Sequence, residues 1–343
     1  MANPPGEVIV LEENNHRKLK VLDEIQSTMS SEVEAMNEII RSQLHTNHTL
    51  VNSIIDNYLK TKGKQIRPIL VMLSARMFGE ITDRVLYAAA SLEMLHNATL
   101  IHDDVVDQTP IRRGKPTINS VWGNHLAVLS GDIFVSKALE AGIHTGDLEI
   151  LQSLSDLGTE LSLGEMDQIF NARGHNLTDE AYYSMIDRKT ASLFVGCVRI
   201  GAQAVGASEE EFTPLQKYAR LLGTAFQIRD DIFDYFPSDD IGKPTGHDLL
   251  EGKVTLPLLY ALRKAPEDRA AKMKELLLTD EELTAEEIKT LHDFAKEFHG
   301  IEHSYEEMRR LRREAMGYID CYPDSESKRY FKEIFDFIIE RNK

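Results

Sequence analysis

The side chains best suited to chemistry gather in two aspartate clusters. The first is Leu100-Ile101-His102-Asp103-Asp104-Val105-Val106-Asp107, followed by Arg112-Arg113-Gly114. The second is Gln227-Ile228-Arg229-Asp230-Asp231-Ile232-Phe233-Asp234. Each closes an apolar helical run, and on a helix positions i and i+4 lie one above the other on one face. Asp103 and Asp107 can therefore hold one hard cation, or two close together, with Asp104 beside them. Mg²⁺ is typically bound through one or two carboxylates, with water and substrate phosphate completing its shell. Two such clusters converging on one site can hold several Mg²⁺ ions around a diphosphate. The chemistry would be metal-assisted ionisation, with charge on a leaving diphosphate neutralised as it develops. Solvated helix surface is the plainer reading of one acidic cluster; two clusters in apolar helices with arginines nearby argue against it.

A second constellation is basic. Lys64 and Arg67 flank a glycine turn and a helix start in Lys60-Thr61-Lys62-Gly63-Lys64-Gln65-Ile66-Arg67-Pro68. A helix N-terminus with basic side chains is a natural anion site. Arg112 and Arg113 follow the first carboxylates, and arginine gives bidentate contacts to phosphate oxygens. His96 lies two turns before Asp103; taken alone, it and His102 read as hydrogen-bonded core histidines.

The elements that must position these groups are helical. Leu22, Ile25, Met29, Val33, Met36, Ile40 and Leu44 recur at helical steps within 13–45. A helix over 50–58 follows, then one over 69–78 that is apolar nearly all round and so central. The helix over 83–106 carries a small-residue face (Ala88-Ala89-Ala90, Ala98) and ends on the first cluster. Residues 114–117 read as a loop. Helices are expected over 120–141, with Gly123 and Gly131 as bends, and over 146–172. Thr178 caps the next, which runs through Gly201. Another starts at Ser208 and carries the second cluster. A loop spans 236–246, an apolar run containing Pro257 spans 250–262, and amphipathic helices fill the remainder. No β-rich segment, repeat or linker is visible, so the expectation is one all-α domain over 1–343, with 1–12 a loose N-terminal segment around Pro4-Pro5-Gly6.

The chain has 343 residues, 42% hydrophobic and 28% charged, with a formal net charge of −17. Generic nucleic-acid binding is not expected, because a phosphate backbone needs a basic footprint. Two cysteines, Cys197 in an apolar run and Cys321, give no disulfide framework. With no secretory signal and no run of about 18 apolar residues, a cytoplasmic protein is expected. Loose membrane contact for product release stays open.

In order, the motifs resemble the trans-isoprenyl diphosphate synthases, or polyprenyl synthetases. They are Gly63-Lys64-x-x-Arg67-Pro68, the first cluster with Arg112-Arg113-Gly114, Arg188-Lys189-Thr190-Ala191, the second cluster, and Gly242-Lys243-Pro244-x-Gly246-x-Asp248-x-x-Glu251-Gly252-Lys253-x-Thr255-x-Pro257. The resemblance spans about 50–257. It implies an all-α bundle of roughly ten or more helices around a central cavity and a head-to-tail condensation of isopentenyl diphosphate with an allylic diphosphate. It further implies a homodimer and three Mg²⁺ ions in the substrate-bound state. By resemblance, Lys64, Arg67, His96 and Arg113 bind isopentenyl diphosphate. Asp103 and Asp107 are direct metal ligands supported by Asp104, and Asp230 is the ligand of the remaining ion, with Asp231 and Asp234 in or near its shell. Arg112, Lys189, Lys243 and Lys253 hold the allylic diphosphate, and Thr190 and Gln227 lie near the carbocation. One departure is visible: Lys62 replaces the first of two glycines usual before the lysine.

In the family, the residues five and four before the first cluster gate product length. Here they are Ala98 and Thr99, with Leu95 a turn further back. Without a bulky aromatic there, the expectation is a medium- to long-chain product built on farnesyl or geranylgeranyl diphosphate. The alternatives are a short-chain farnesyl or geranylgeranyl synthase, a class I terpene cyclase and a non-catalytic subunit of a heteromeric synthase.

Overall fold

A computed structural model of the chain describes residues 21–60, 63–174, 176–236, 246–278 and 282–340. The segment 1–12, Lys62 and Lys243 lie outside the described residues. The chain divides into two compact units. The first comprises 1–159, 194–216 and 322–331, and the second 160–193, 217–321 and 332–343.

In the first unit, residues 21–28 are helical and precede α1 (Ser30–Leu44), α2 (Thr49–Leu59), α3 (Ile66–Phe78) and α4 (Asp83–Val106). α3 is buried continuously from Pro68 to Ala75, as its nearly all-apolar sequence predicts. α4 is followed by a hairpin, β1 (Ile111–Arg112) paired antiparallel with β2 (Lys115–Pro116). The expected loop is thus a pair of two-residue strands. The two residues of its turn, Arg113 and Gly114, have φ of 52° and 73°, the left-handed pair that suits tight hairpins. Then come α5 (Ile118–Trp122), α6 (Asn124–His144) and α7 (Leu148–Gly174), the last ending in the second unit.

Small residues let these helices approach. Ser91 Oγ on α4 donates to the Ala138 carbonyl on α6 at 2.7 Å. On α9 (Ser192–Ala204), a Cβ at Gly201 would sit 2.1 Å from the Val71 carbonyl oxygen of α3. Gly123 does break the chain between α5 and α6, with φ 83°. Gly131 is no bend: it lies inside α6 and makes room for His102, whose Nε2 would be 2.2 Å from a Cβ there.

The second unit contains α8 (Asp179–Ile186), a π-helix (Asp187–Ala191), and the body of α10 (Glu209–Phe233). It continues through α11 (His247–Leu250), α12 (Leu256–Lys264), α13 (Glu267–Leu277), α14 (Ala285–Glu297) and α15 (Gly300–Ile319), before α16 (Glu326–Glu340). Thr178 caps α8 as expected, its Oγ1 accepting from the Ala181 N–H at 3.2 Å. Pro257 opens α12, where its missing N–H is harmless. A Cβ at Gly300 would lie 2.0 Å from the Pro257 carbonyl oxygen, so α15 starts directly on the start of α12.

Candidate active site

In the first unit, α4 ends on Asp103, Asp104 and the C-cap residue Asp107, with no basic residue in its last turn. Carboxylates at a helix C-terminus face the negative end of the macrodipole, so the cluster calls for positive charge from elsewhere. Asp104 receives it from the protein. The residue is 4% exposed, and Oδ1 accepts from Arg112 Nε at 2.6 Å. Burial raises its pKa, and the Arg112 charge opposes the rise. The Asp104 carboxylate thus sets the position of Arg112. Asp103 is half-buried and Asp107 exposed.

The basic constellation is assembled by close backbone approach. The Arg113 guanidinium lies against Gly63, where a Cβ would be 2.7–2.9 Å from Nη1, Cζ and Nη2. The glycine that this contact requires is the one the sequence retains. Gln65, left-handed at φ 48°, is fixed by a reciprocal amide pair with Asn37 at 3.2 and 2.9 Å. Gln26 Nε2 donates to the Lys64 carbonyl at 2.7 Å. Asn37, Gln26 and Gln65 thus hold the turn that carries Lys64 and Arg67; pattern reading did not single them out.

His96 is buried and its Nε2 has no hydrogen-bond partner. Burial, then the charges of Arg67, Arg113 and Arg112, hold its pKa well below 6.5, so the ring is neutral at pH 7. It is not the hydrogen-bonded core histidine of the plainer reading. His102 is hydrogen-bonded but only partly buried, with Nε2 3.2 Å from the Val128 carbonyl and 3.5 Å from Asp132. Beside Arg113 a pocket of about 40 Å³ is lined by Tyr58, Gly63, Gln65, Glu93 and Asn97 among others. Tyr58 donates to Asn97 Oδ1 at 2.9 Å. Burial raises the Glu93 pKa against the pull of Arg67 and Arg113.

On the same helix Ala98 is fully buried and Leu95 8% exposed, and Thr99 Oγ1 is turned to the His96 carbonyl at 2.8 Å. A Cβ on Gly158 of α7 would stand 3.9 Å from Leu95 Cδ1.

In the second unit, Lys189 and Thr190 lie in the π-helix, where sequence reading expects regular helix. π-Helical turns are rare and recur at functional sites. Gly164 of α7 lies beneath it, and a Cβ there would be 2.5 Å from the Lys189 backbone nitrogen. Lys189 Nζ pairs with Glu165 and donates to Gln168 Oε1 at 2.9 Å, while Arg188 pairs with Asp167 at 3.2 Å. Gly164, Glu165 and Gln168 escaped the sequence reading; a mid-helix glycine with polar neighbours at i+1 and i+4 was their signal. Lys253 pairs with Glu251.

Asp230 is half-buried and Asp231 is 4% exposed. Asp231 accepts from Tyr182 at 2.5 Å and from Gln227 Nε2 at 2.8 Å, and Gln227 Oε1 accepts from Thr190 at 2.6 Å. Burial pushes the Asp231 pKa up to about 7, and that of Asp248 upward for the same reason, with Asp231 and Asp234 adding like charge. Asp234 falls just beyond α10. Its oxygens accept the backbone N–H groups of His247 at 2.9 Å and Asp248 at 3.2 Å. Its carboxylate caps α11.

A family model described as "Polyprenyl synthetase" matches residues 48–294. The chain is 32% identical over 325 residues to an octaprenyl diphosphate synthase of Haemophilus influenzae, covering 94% of this chain and 98% of that protein. The chain belongs to the polyprenyl synthetase family. It is also 34% identical over 329 residues to a short chain isoprenyl diphosphate synthase of Methanothermobacter thermautotrophicus, covering 93% and 99% of the two chains. A polyprenyl synthase from Caulobacter crescentus CB15, complexed with calcium and isoprenyl diphosphate, superposes with a TM-score of 0.87 at 27% identity over 94% of this chain and 98% of that one.

As a polyprenyl synthetase the chain is a prenyltransferase with the all-α isoprenoid synthase fold. Among the described residues, no group of three or more His, Cys, Asp or Glu side chains is arranged to hold a metal unaided. Asp103, Asp107 and Asp230 are nonetheless hard oxygen donors of the type Mg²⁺ takes one or two at a time, with substrate phosphate and water supplying the rest. Among the described residues, no helix is long and apolar enough to cross a membrane.

Proposed function

We propose that this polyprenyl synthetase condenses isopentenyl diphosphate head-to-tail with an allylic diphosphate, farnesyl or geranylgeranyl, to give a medium- to long-chain all-trans polyprenyl diphosphate. The observation that carries the reading is His96, a neutral, buried imidazole with an orphan Nε2. It lies two turns of α4 before Asp103 and within the field of Arg67 and Arg113. A buried polar atom without a partner is costly, and an entering diphosphate oxygen would accept its N–H. Lys64, Arg67, His96 and Arg113 are assigned to isopentenyl diphosphate. Arg112, Lys189, Lys243 and Lys253 are assigned to the allylic diphosphate. Asp103, Asp107 and Asp230 are the proposed Mg²⁺ ligands.

Bound Mg²⁺ would neutralise charge on the departing diphosphate. Lys189 and Arg112 orient that group so that the allylic C–O bond breaks with its electron pair on oxygen. Thr190 and Gln227 turn their oxygen dipoles toward the cation. The isopentenyl double bond then forms the new C–C bond, and the proton it releases passes to the departed diphosphate. Ala98, with no side chain beyond Cβ, supports elongation past the farnesyl length. The apolar exposed row Leu129, Leu139 and Ile143 on α6 supports a homodimer.

The test is purified protein with radiolabelled isopentenyl diphosphate, farnesyl diphosphate and Mg²⁺, the products being resolved by chain length. A single linear product longer than geranylgeranyl is expected. A product stopping at geranylgeranyl supports the short-chain alternative, a hydrocarbon indicates a cyclase, and no turnover without a second chain indicates a heteromeric subunit.

A further inference from the structure

The hydrogen bonds around Gln227 have a direction. Its amide nitrogen donates to Asp231 Oδ1 at 2.8 Å, and its amide oxygen accepts from Thr190 at 2.6 Å. With Asp231 ionised, reversing the amide would set its oxygen against a carboxylate oxygen and its N–H₂ against the threonine hydroxyl hydrogen. Amide orientation is therefore fixed by its surroundings. Asp231 is itself fixed, because its other oxygen accepts from the Tyr182 hydroxyl at 2.5 Å. Tyr182 and Asp231 are each 4% exposed, so water does not compete for these bonds. The chain Tyr182–Asp231–Gln227–Thr190 joins α8, α10 and the π-helix within one compact unit.

Its end point is chemical. A threonine hydroxyl has one hydrogen and two lone pairs. With that hydrogen committed to Gln227, Thr190 presents only lone pairs to anything else beside it. That is the polarity that stabilises a positive charge. If the chain breaks, the hydroxyl rotates freely and can present its hydrogen instead.

We propose that Tyr182 and Asp231 are positioning residues that act through Gln227 to hold the Thr190 oxygen dipole toward the allylic cation. The inference rests on the role given above to Thr190 and Gln227. It adds Tyr182, which touches no substrate in this scheme, and gives Asp231 a task other than metal ligation.

The experiment is a double-mutant cycle on the full chain with isopentenyl and farnesyl diphosphates. Tyr182→Phe is expected to lower kcat about five- to tenfold, with KM for both substrates within about twofold, the signature of a transition-state effect. Thr190→Val should lower kcat more, and Thr190→Ser should restore it to within a few-fold. The decisive variant combines Tyr182→Phe with Thr190→Val. It is expected to be no slower than Thr190→Val alone, because the chain has no dipole left to orient. Losses that multiply, or a Tyr182→Phe defect confined to KM, would overturn the proposal. Fluorinated tyrosine at 182 keeps the ring shape and weakens the basicity of Asp231, and serves where the Phe variant does not fold. Here kcat should fall with each added fluorine, and a flat or rising series overturns the idea. Multiplied losses in an enzyme whose wild type turns over sink the positioning chain alone; absence of wild-type turnover sinks the functional reading and this inference together.

Discussion

Gly164→Ala is the sharpest single perturbation of the site. The added methyl would lie 2.5 Å from the Lys189 backbone nitrogen, 2.8 Å from its Cα and 3.0 Å from the Arg188 carbonyl carbon. These are backbone atoms of the π-helix, so no flexible side-chain end can swing away. Non-bonded heavy atoms reach their contact minimum at about 3.5 Å, so the two backbones must separate by roughly 1 Å. Overpacking of this kind typically costs about 1–3 kcal/mol of stability. Lys189 would be drawn from Glu165 and Gln168, and Thr190 from Gln227. A misplacement of about 1 Å can cost about 10²-fold in rate. The assay is steady-state incorporation of isopentenyl diphosphate against varied farnesyl diphosphate, with thermal melting in parallel. We expect kcat/KM for the allylic substrate to fall about 30- to 100-fold, with a melting point only a few degrees lower. Kinetics within twofold of wild type would refute the argument that α7 positions the π-helix through this glycine.

Three further outcomes follow from the same geometry. Ala98→Phe should shorten the product, read by chromatography of radiolabelled chains; an unchanged product would remove Ala98 from the gate. Gly317→Ala, on an exposed turn of α15 with nothing within 4 Å of the new Cβ, should stabilise by about 0.5–1 kcal/mol, measured by denaturant titration. Asp231 retains in the folded chain a proton that the unfolded chain releases, because burial raises its pKa from 3.8 to about 7. Stability in EDTA should then fall as pH rises through that window and level off above it. Asp231's share of the slope is at most about 1.4 kcal/mol per pH unit, and Asp231→Asn should lack that share; identical slopes would refute the assignment.

The helices were legible because their apolar periodicity is strong: α4 spans the range expected of it, and α3 is as buried as its composition implies. The two clusters were legible as chemistry because carboxylate spacing is a property of the chain alone. What each carboxylate does was not. Asp104 is one residue past Asp103 and is turned inward, where Arg112 meets it. Asp234 stands one residue past the end of α10 at Phe233, as Asp107 stands one past the end of α4; spacing alone does not show that the Asp234 oxygens also accept the first N–H groups of α11. The π-helix escaped because its five residues, Asp187–Ala191, are too few for a different period to register in the apolar pattern. Arg113 and Gln65 adopt left-handed backbone that sequence preference assigns to glycine or asparagine, and only the hairpin and the Asn37 amide pair show why.

Two glycines explain how the chemistry is aimed, and they are not equivalent. Gly63 faces the guanidinium tip of Arg113 and Gly164 the backbone of Lys189. A side-chain tip can give way, so Gly63→Ala should raise KM for isopentenyl diphosphate severalfold while leaving the melting point nearly unchanged. A backbone cannot, so Gly164→Ala should harm both rate and stability. Gly201 and Gly300 meet the carbonyls of Val71 and Pro257, none of them a proposed substrate-binding residue. Alanine there should act on stability first, with activity lost only as the fold is lost. If kinetics and melting instead move in parallel across all four substitutions, these glycines serve packing alone, and aiming must come from the charged network.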